Sequence, residues 1–262
     1  MKSNNVILVT RPKQQATEFV NLLTSRGLKS LVFPCIEIQQ VELSGPLKEK
    51  LKTLNDNNLI IFISVNAVDK AAELMSQLGI KPESITVNIA TIGKATYRAA
   101  ISLGFNVTQC PENGFNSDAL LDLETLQPDN IKGTQCLIIR GVGGLEYLAD
   151  ELRKRGAKVH YAEVYKRIKP LSDENISRDE LSNNWKELQI NAVTVTSNES
   201  LQNLYNMLQQ PGKNKMLSTT LIVASQRGIE LAQRLGFKSI ILSQSALNQH
   251  MLEAVENNWK NN

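Results

Sequence analysis

The chain has 262 residues, of which 42% are hydrophobic, and this length predicts two domains of ordinary size. Its net charge of +3 is small, and its basic residues are scattered without interleaved aromatic residues, which excludes a typical nucleic-acid-binding protein. The apolar run at residues 59–63 is far too short to span a membrane, and the run at residues 6–9 is too short for a signal peptide.

Side chains suited to metal or redox chemistry are few. The three cysteines, Cys35, Cys110 and Cys136, are far apart and form no CxxC motif, so we expect reduced, structural thiols in a cytoplasmic protein. The two histidines, His160 and His250, are too few for a His-rich metal site or a His-based catalytic triad. No cluster of carboxylates indicates hydrolysis or metal chemistry, and we predict no metal site.

One pattern recurs along the chain: a short apolar run, an amphipathic stretch, a glycine and a second apolar run. The short continuous runs are typical of parallel strands covered on both faces. The glycines stand where helices should end in a left-handed cap, at Gly27, Gly79, Gly104, Gly156 and Gly236. Strands that alternate with helices in this way predict doubly wound α/β domains.

The sequence also repeats itself. Residues 6–34 align with residues 135–163, and residues 90–124 align without a gap with residues 222–256. Any two α/β units share leucines, glycines and helical periodicity, but the gapless match favours a duplication. The short block at residues 6–34 cannot bury a core alone and must join a neighbour. These residues do not decide whether it joins the nearer or the farther long block.

Two segments lie outside the repeated pattern, at residues 34–42 and 162–170. The first is an extended stretch that follows a proline. We interpret both segments as crossings between the two domains.

Polar residues and glycines follow six of the predicted strands, where helices begin. In doubly wound domains ligands bind beyond the carboxyl ends of the strands, and helix N-termini bind anions through their N–H groups. The alternative is local: hydroxyl and amide side chains cap helices, and an arginine forms a structural ion pair. The residues we predict to bind ligand are Thr10, Arg11, Pro12, Ser64, Asn66, Gly93, Lys94, Thr96, Arg140, Gly141, Thr196, Ser197, Ser200 and Ser225.

The turn after Arg140 contains Gly141 and Gly143, which invites comparison with the dinucleotide fingerprint GxGxxG. The third glycine of that fingerprint is replaced by Glu146, so a nucleotide-dependent enzyme is disfavoured. The glycines still allow a ligand to approach the backbone closely.

Taken together, these turns resemble those of the uroporphyrinogen-III synthases, and the resemblance covers nearly the whole chain. Each motif is common by itself, but their order and spacing are specific. The motifs are Val-Thr-Arg-Pro at residues 9–12, Phe-Pro at 33–34, Ser-Val-Asn-Ala-Val at 64–68, Ile-Gly-Lys-Ala-Thr at 92–96, Arg-Gly-Val-Gly-Gly at 140–144, Val-Tyr-Lys-Arg at 164–167, Val-Thr-Ser at 195–197 and Ser-Gln-Arg at 225–227.

The resemblance implies an α/β fold of two flavodoxin-like parallel-sheet domains joined by a two-stranded linker. It implies that the N-terminal block joins the C-terminal long block. The expected boundaries are residues 1–34 plus 170–262 for the first domain, 42–162 for the second, and 35–41 and 163–169 for the linker strands.

The resemblance also implies the reaction. The substrate would be hydroxymethylbilane, a linear tetrapyrrole with acetate and propionate arms, which loses its terminal hydroxyl to give an azafulvene. The last pyrrole then attacks through its substituted carbon, forms a spiro intermediate and recloses inverted, giving uroporphyrinogen III for heme and siroheme biosynthesis. No cofactor is implied, and the predicted ligand-binding residues would hold the substrate.

Departure of the hydroxyl needs a proton, and Tyr165 stands at the second crossing, beside the expected cleft. A phenol is protonated at neutral pH and can donate, so we predict that Tyr165 is catalytic. The alternative is an aromatic residue that packs in the linker.

Two positions depart from the family pattern. Leu145 stands where the family often carries an arginine, and Gly228, which aligns with Thr96 in the repeat, has no hydroxyl. No substrate contact is carried over to either position. The competing hypothesis is a non-catalytic two-domain protein that binds a small ligand. In either case we expect a monomer that binds neither nucleic acid nor membrane.

Overall fold

The computed structural model describes residues 5–114, 116–170 and 176–260. The chain divides into two compact units, Met1–Glu37 with Ile168–Asn262 and Ile38–Arg167. The division falls inside the segments 35–41 and 163–169, whose role as linker strands stays a prediction. Residues 1–4, 171–175 and 261–262 of the predicted first domain, and residue 115 of the second, lie outside the described residues.

Strands and helices alternate along most of the described chain. The strands are β1 (Val6–Val9), β2 (Lys29–Val32), β3 (Glu37–Gln40), β4 (Leu59–Phe62), β5 (Asn88–Thr91), β6 (Gln135–Gly141), β7 (Lys158–Ile168), β8 (Ile190–Val195), β9 (Thr220–Val223) and β10 (Ile240–Leu242). The helices are α1 (Lys13–Ser25), α2 (Gly45–Lys52), α3 (Val65–Gln77), α4 (Lys94–Ser102), α5 (Ser117–Leu121), α6 (Pro128–Ile131), α7 (Tyr147–Lys154), α8 (Arg178–Asn183), α9 (Asn198–Met207), α10 (Gly212–Leu217), α11 (Gln226–Leu235) and α12 (Asn248–Lys260).

The sheet of the first unit has the order β2-β1-β8-β9-β10, and these neighbours pair in parallel. Numbered within the unit, this is the flavodoxin-like order 2-1-3-4-5. Leu8 of β1 lies opposite Val193 of β8. The N-terminal block therefore shares a sheet with the C-terminal long block.

The sheet of the second unit has the order β3-β7-β6-β4-β5, with β7, β6, β4 and β5 paired in parallel. From β7 to β5 the spatial order repeats that of the first unit, because β7 and β6 take the places of β2 and β1. The aligned blocks at residues 6–34 and 135–163 thus occupy equivalent positions, which supports a duplication. The predicted α/β class with parallel sheets is confirmed.

Both faces of the second sheet are buried. Along β4, Ile60 and Phe62 contact one apolar cluster, and Leu59 and Ile61 contact another. Side chains of α2, α3 and α4 complete the first cluster, and side chains of α5, α6 and α7 complete the second. The first unit is built the same way, with α8 to α11 on one face of its sheet and α1 and α12 on the other. Alternate strand residues point to opposite faces, which explains the continuous apolar runs.

The ends of the helices follow local sequence signals. Ser64, Ser197 and Ser225 each accept the backbone N–H of the residue three positions later, as N-caps do. The five glycines predicted to end helices all have positive φ, between +70° and +93°. No helix in the described ranges combines the length and apolar character needed to cross a bilayer.

A buried threonine in each sheet offers a test of this packing. Thr91 is 0% exposed, and its Oγ1 has no hydrogen-bond partner among the described residues. We expect Thr91→Val to raise the free energy of unfolding by about 1 kcal/mol, because an unpaired buried hydroxyl is destabilising. Urea denaturation followed by circular dichroism would measure the change.

Thr194→Val is the matched control. Thr194 is 2% exposed, and its hydroxyl donates to the Leu8 carbonyl at 3.1 Å, so this variant should lose about 1 kcal/mol. A loss for Thr91→Val as large as that of the control would contradict the assignment of an unpaired hydroxyl.

Candidate active site

In each sheet, turns at the carboxyl ends of neighbouring parallel strands gather along one edge. These turns follow β1, β8 and β9 in the first unit and β6, β4 and β5 in the second. The predicted site residues therefore fall into two groups. The first unit holds Thr10, Arg11, Pro12, Thr196, Ser197, Ser200 and Ser225, and the second holds Ser64, Asn66, Gly93, Lys94, Thr96, Arg140, Gly141 and Tyr165.

A cleft of about 260 Å³ opens at the edge of the second unit. Its wall includes three predicted site residues, Arg140, Gly141 and Tyr165. The glycine turn, which we define as residues 142–145, forms another part of the wall. Apolar side chains such as Ile63 contribute to the same surface, so the cleft combines apolar walls with a few polar groups, as small-molecule sites do.

An irregularity in β7 places Tyr165 in this cleft. Arg140 pairs with Glu163 and Gly141 pairs with Tyr165, so β7 carries one extra residue, Val164, between the two pairs. A bulge of this kind redirects the side chains beside it. Tyr165 is 3% exposed, and its ring lies directly against Gly141.

The Tyr165 ring leaves no room for a side chain at position 141. A Cβ at Gly141 would lie 2.7 Å from the ring atoms Cε2 and Cζ of Tyr165 and 3.1 Å from its hydroxyl. Gly141 is therefore needed for close approach of the aromatic ring to the backbone.

The Tyr165 hydroxyl lies 3.2 Å from Oγ of Ser64. Ser64 caps α3, since its Oγ accepts the backbone N–H of Ala67 at 3.1 Å. The hydroxyl of Ser64 keeps its own proton to donate, so it can stabilise negative charge on the phenol oxygen.

Arg140 is 6% exposed and lies in a network of charges beside the cleft. Its guanidinium is 3.1 Å from Glu163 and 2.8 Å from Glu146, and it donates to the Gly144 carbonyl at 3.3 Å. It also stacks on Tyr161, with Cζ 3.7 Å from the ring centroid. Burial acts to lower the pKa of Arg140, but the hydrogen bonds with Glu146 and Glu163 raise it above its ordinary value.

Glu146, an acidic member of this network, is kept ionised. Hydrogen bonds from Tyr161 and Arg140 lower the pKa of Glu146 below its ordinary value. Burial and the hydrogen bond to Glu146 raise the pKa of Tyr161, which keeps that phenol protonated. The network therefore stays fully formed around neutral pH.

The remaining predicted residues of the second unit surround the starts of α3 and α4. Gly93 is the N-cap of α4, with an extended φ of 177°, and Lys94 is exposed in the first turn. Thr96 is buried at 4% exposure, and Asn66 is half-buried in the first turn of α3.

In the first unit, Arg11 and Thr10 make internal contacts. Arg11 is 9% exposed and donates to Asn248 Oδ1 at 2.6 Å and to the Ala246 carbonyl at 2.8 Å. Burial lowers the pKa of Arg11, and the nearby carboxylate of Glu18 opposes this shift. The buried Thr10 hydroxyl donates to the Thr194 carbonyl at 2.9 Å. These contacts are internal, but they are hydrogen bonds to carbonyl and amide oxygens and differ from the helix cap and the ion pair named as the structural alternative. Contact of Thr10 and Arg11 with substrate stays a prediction.

The other predicted residues of the first unit lie at helix starts, and Pro12 directly precedes α1. Ser197 accepts the Ser200 N–H at 3.1 Å and donates to the Ser200 hydroxyl at 3.0 Å. Ser225 accepts the Gly228 N–H at 3.2 Å. Thr196, directly before the Ser197 cap, is half-buried.

Sequence reasoning missed three residues at the cleft of the second unit. Tyr161 and Arg167 line it, and Glu146 joins Arg140 to Tyr161. Arg167 stands two residues after Tyr165 on β7, so strand alternation could have placed both side chains together. In the sequence, Glu146 stands out only as a mismatch to a glycine motif.

Across the described ranges, no group of three or more His, Cys, Asp or Glu side chains is placed to hold a metal ion. Cys35 and Cys136 are free and buried, and burial raises the pKa of each thiol. They are therefore suited to packing and not to nucleophilic chemistry.

A family model described as uroporphyrinogen-III synthase HemD matches residues 17–253. The chain is 32% identical to the uroporphyrinogen-III synthases of Escherichia coli (strain K12) and Salmonella typhimurium (strain LT2), with 95% of this chain and 99% of each relative aligned.

Solved structures show the same fold. A mutant uroporphyrinogen III synthase from the extremely thermophilic bacterium Thermus thermophilus superposes with a TM-score of 0.61 at 13% identity, covering 98% of this chain and 100% of that one. The uroporphyrinogen-III synthetase of Helicobacter pylori 26695 gives 0.59 at 15% identity, covering 97% and 99%. By the match to the family model and to these relatives, the chain belongs to the uroporphyrinogen-III synthase family.

Proposed function

We propose that this protein closes hydroxymethylbilane to uroporphyrinogen III, with loss of water and inversion of the last pyrrole ring. Family membership supports the reaction, and one structural observation carries the chemistry. The phenol of Tyr165 lies in the wall of a cleft, against the backbone of Gly141 and within 3.2 Å of the Ser64 hydroxyl. No cofactor is part of this proposal.

Tyr165 is the proposed acid. It gives its proton to the departing hydroxyl, which leaves as water, and Ser64 donates to the resulting phenolate oxygen. The pyrrole N–H of the ring that becomes the azafulvene supplies a proton that restores the phenol. The step therefore consumes no net proton. The substituted carbon of the last pyrrole attacks the azafulvene carbon and becomes a spiro centre, and its bond to the preceding methylene carbon then breaks. The unsubstituted carbon of the inverted ring bonds that methylene carbon and loses its proton, which restores the pyrrole N–H given up earlier.

Most of the catalytic task is control of shape. Unassisted ring closure gives the symmetric type I isomer, so the protein must hold the last pyrrole with its substituted carbon facing the azafulvene. Holding a flexible chain in one geometry is an orientational contribution to the rate. Backbone N–H groups at helix starts and hydroxyl side chains suit the carboxylate arms of the substrate.

The proposed contacts in the second unit are Ser64, Asn66, Gly93, Lys94, Thr96, Arg140 and Gly141. Those in the first unit are Thr10, Arg11, Pro12, Thr196, Ser197, Ser200 and Ser225. The guanidinium of Arg140 is already paired with Glu146 and Glu163. We therefore propose that the backbone of Arg140 and Gly141, and not the guanidinium, approaches the ligand.

We further propose a cytoplasmic monomer. Buried, unbridged Cys35 and Cys136 support a reducing compartment. Size-exclusion chromatography with light scattering would measure the mass in solution, and a stable dimer would contradict this part of the proposal.

The decisive test is the isomer formed. Incubated with enzymatically made hydroxymethylbilane, the protein should yield predominantly the type III ring, separated from type I by chromatography after oxidation. A no-enzyme control should yield type I. If the protein leaves the type I outcome unchanged, the reaction is wrong and the non-catalytic binding hypothesis takes its place.

Tyr165→Phe should slow turnover on the order of 100-fold, because it removes the acid and keeps the ring. Tyr205→Phe is the matched control, since Tyr205 is a half-buried tyrosine on α9 of the first unit. Steady-state rates and circular dichroism would be measured for both. Unchanged turnover in a folded Tyr165→Phe variant would remove Tyr165 from the mechanism.

Gly141→Ala should also slow turnover on the order of 100-fold, since the added methyl group would push the phenol away by about 1 Å. Gly45→Ala, at a position where a Cβ meets nothing within 4 Å, should keep the activity of the unaltered protein. Equal activity in the two variants would show that the Tyr165 ring tolerates displacement.

A further inference from the structure

The glycine turn (residues 142–145) has little packing to hold it in place. Gly143 has a φ of +71°, and Val142 and Leu145 are 53% and 90% exposed. Glycines give the backbone wide freedom, and exposed side chains supply few contacts that would restrict it. Yet this turn forms part of the wall of the cleft that contains Tyr165. Something other than apolar packing must fix its position.

The fixing contacts come from polar groups at the two ends of the turn. Arg140, near the end of β6 and two residues before the turn, donates to the Gly144 carbonyl at 3.3 Å. Its guanidinium also reaches Oε1 of Glu146, directly after the turn, at 2.8 Å. The Arg140 side chain therefore contacts Gly144 within the turn and Glu146, the residue that follows it.

Glu146 uses its second carboxylate oxygen in the same network. Oε2 accepts the hydroxyl of Tyr161 and lies 3.7 Å from Arg153. Tyr161 lines the cleft and stacks against Arg140. Glu146 thus connects the turn to β6 through Arg140 and to β7 through Tyr161, the two strands that pair beside Tyr165.

We propose that Glu146 is a positioning residue for the ring closure, which holds the glycine turn so that the cleft keeps the shape that binds the substrate. This inference rests on the proposed function. We assign Glu146 a positioning role and not a catalytic one, because its carboxylate contacts Arg140, Tyr161 and Arg153, whereas the proposed proton donor Tyr165 lies beside Ser64.

If Glu146 had a purely structural role, its replacement would lower the stability of the whole protein. The side chain of Glu146 is 49% exposed, and the buried guanidinium of Arg140 keeps its second carboxylate partner, Glu163, when Glu146 is replaced. Loss of the Glu146 side chain should therefore loosen the turn and leave the fold intact. A loosened wall weakens the hold on the substrate, while bound substrate still meets an intact acid.

The test compares Glu146→Ala, Glu146→Gln and the control Glu151→Ala in the full-length protein. Glu151 lies on α7, the helix that begins directly after Glu146, and pairs with Lys154 at 2.6 Å, outside this network. We expect Glu146→Ala to raise KM on the order of 10-fold with kcat changed less than about 3-fold. At an enzyme concentration below its KM, its type I fraction should rise, because unbound substrate closes without assistance. Glu146→Gln should recover most of the KM, because its amide oxygen still accepts from Arg140 and its amide N–H can donate to the Tyr161 hydroxyl oxygen. Glu151→Ala should match the unaltered protein.

The outcomes separate the two proposals. If the unaltered protein makes no type III product, the proposed function fails. If it does, an unchanged KM and isomer ratio in Glu146→Ala overturn the positioning role alone. A fall in kcat that parallels a lower urea midpoint would also overturn it, by showing a structural role. Equal impairment of Glu146→Gln and Glu146→Ala would assign the effect to charge and not to hydrogen bonding with the turn, which overturns it as well.

Discussion

The packing of the Tyr165 ring on the backbone of Gly141 ties together the parts of the cleft. A Cβ at Gly141 would lie 2.7 Å from the ring, so the contact exists only because that residue is glycine. The ring reaches this position because β7 carries one extra residue opposite the end of β6. Its hydroxyl then meets Ser64, the cap of α3. One aromatic side chain thus joins two strand ends to the start of a helix.

Ion pairs and hydrogen bonds hold the parts of the cleft wall that apolar packing does not hold. A buried guanidinium needs partners, and those of Arg140 are Glu163 on the neighbouring strand and Glu146 beyond the glycine turn. The same need is met differently at the matching position of the other unit. Arg11, which aligns with Arg140 in the repeat, donates to Asn248 and to the Ala246 carbonyl. A shared strand-end arginine therefore anchors the segment before α12 in one unit and the glycine turn in the other.

The proposed reaction depends on few individual side chains and on many backbone N–H groups. One proton donor is enough to release water, whereas selecting the inverted ring requires a long flexible substrate to be held in one shape. Helix starts beyond parallel strands offer many fixed N–H donors for this purpose. The hydroxyls of Ser64, Ser197 and Ser225 are already engaged as helix caps, so they shape these edges as well as offering donors.

Features that depend on near neighbours in the chain could be predicted from the amino-acid sequence. Apolar runs such as residues 59–63, the Ser64 cap and the left-handed glycine at Gly27 follow from strand burial and local backbone geometry, so they were predictable. The motifs in order were specific enough to indicate the family. The family resemblance implied that the N-terminal block joins the C-terminal long block, but the individual contacts between residues far apart in the chain required the three-dimensional structure. They include Leu8 opposite Val193, Tyr165 against Gly141, and Arg140 with Glu163, 23 residues apart. A bulge in β7 and the pairing of charges depend on how strands meet, and the pattern of either strand alone does not contain that information.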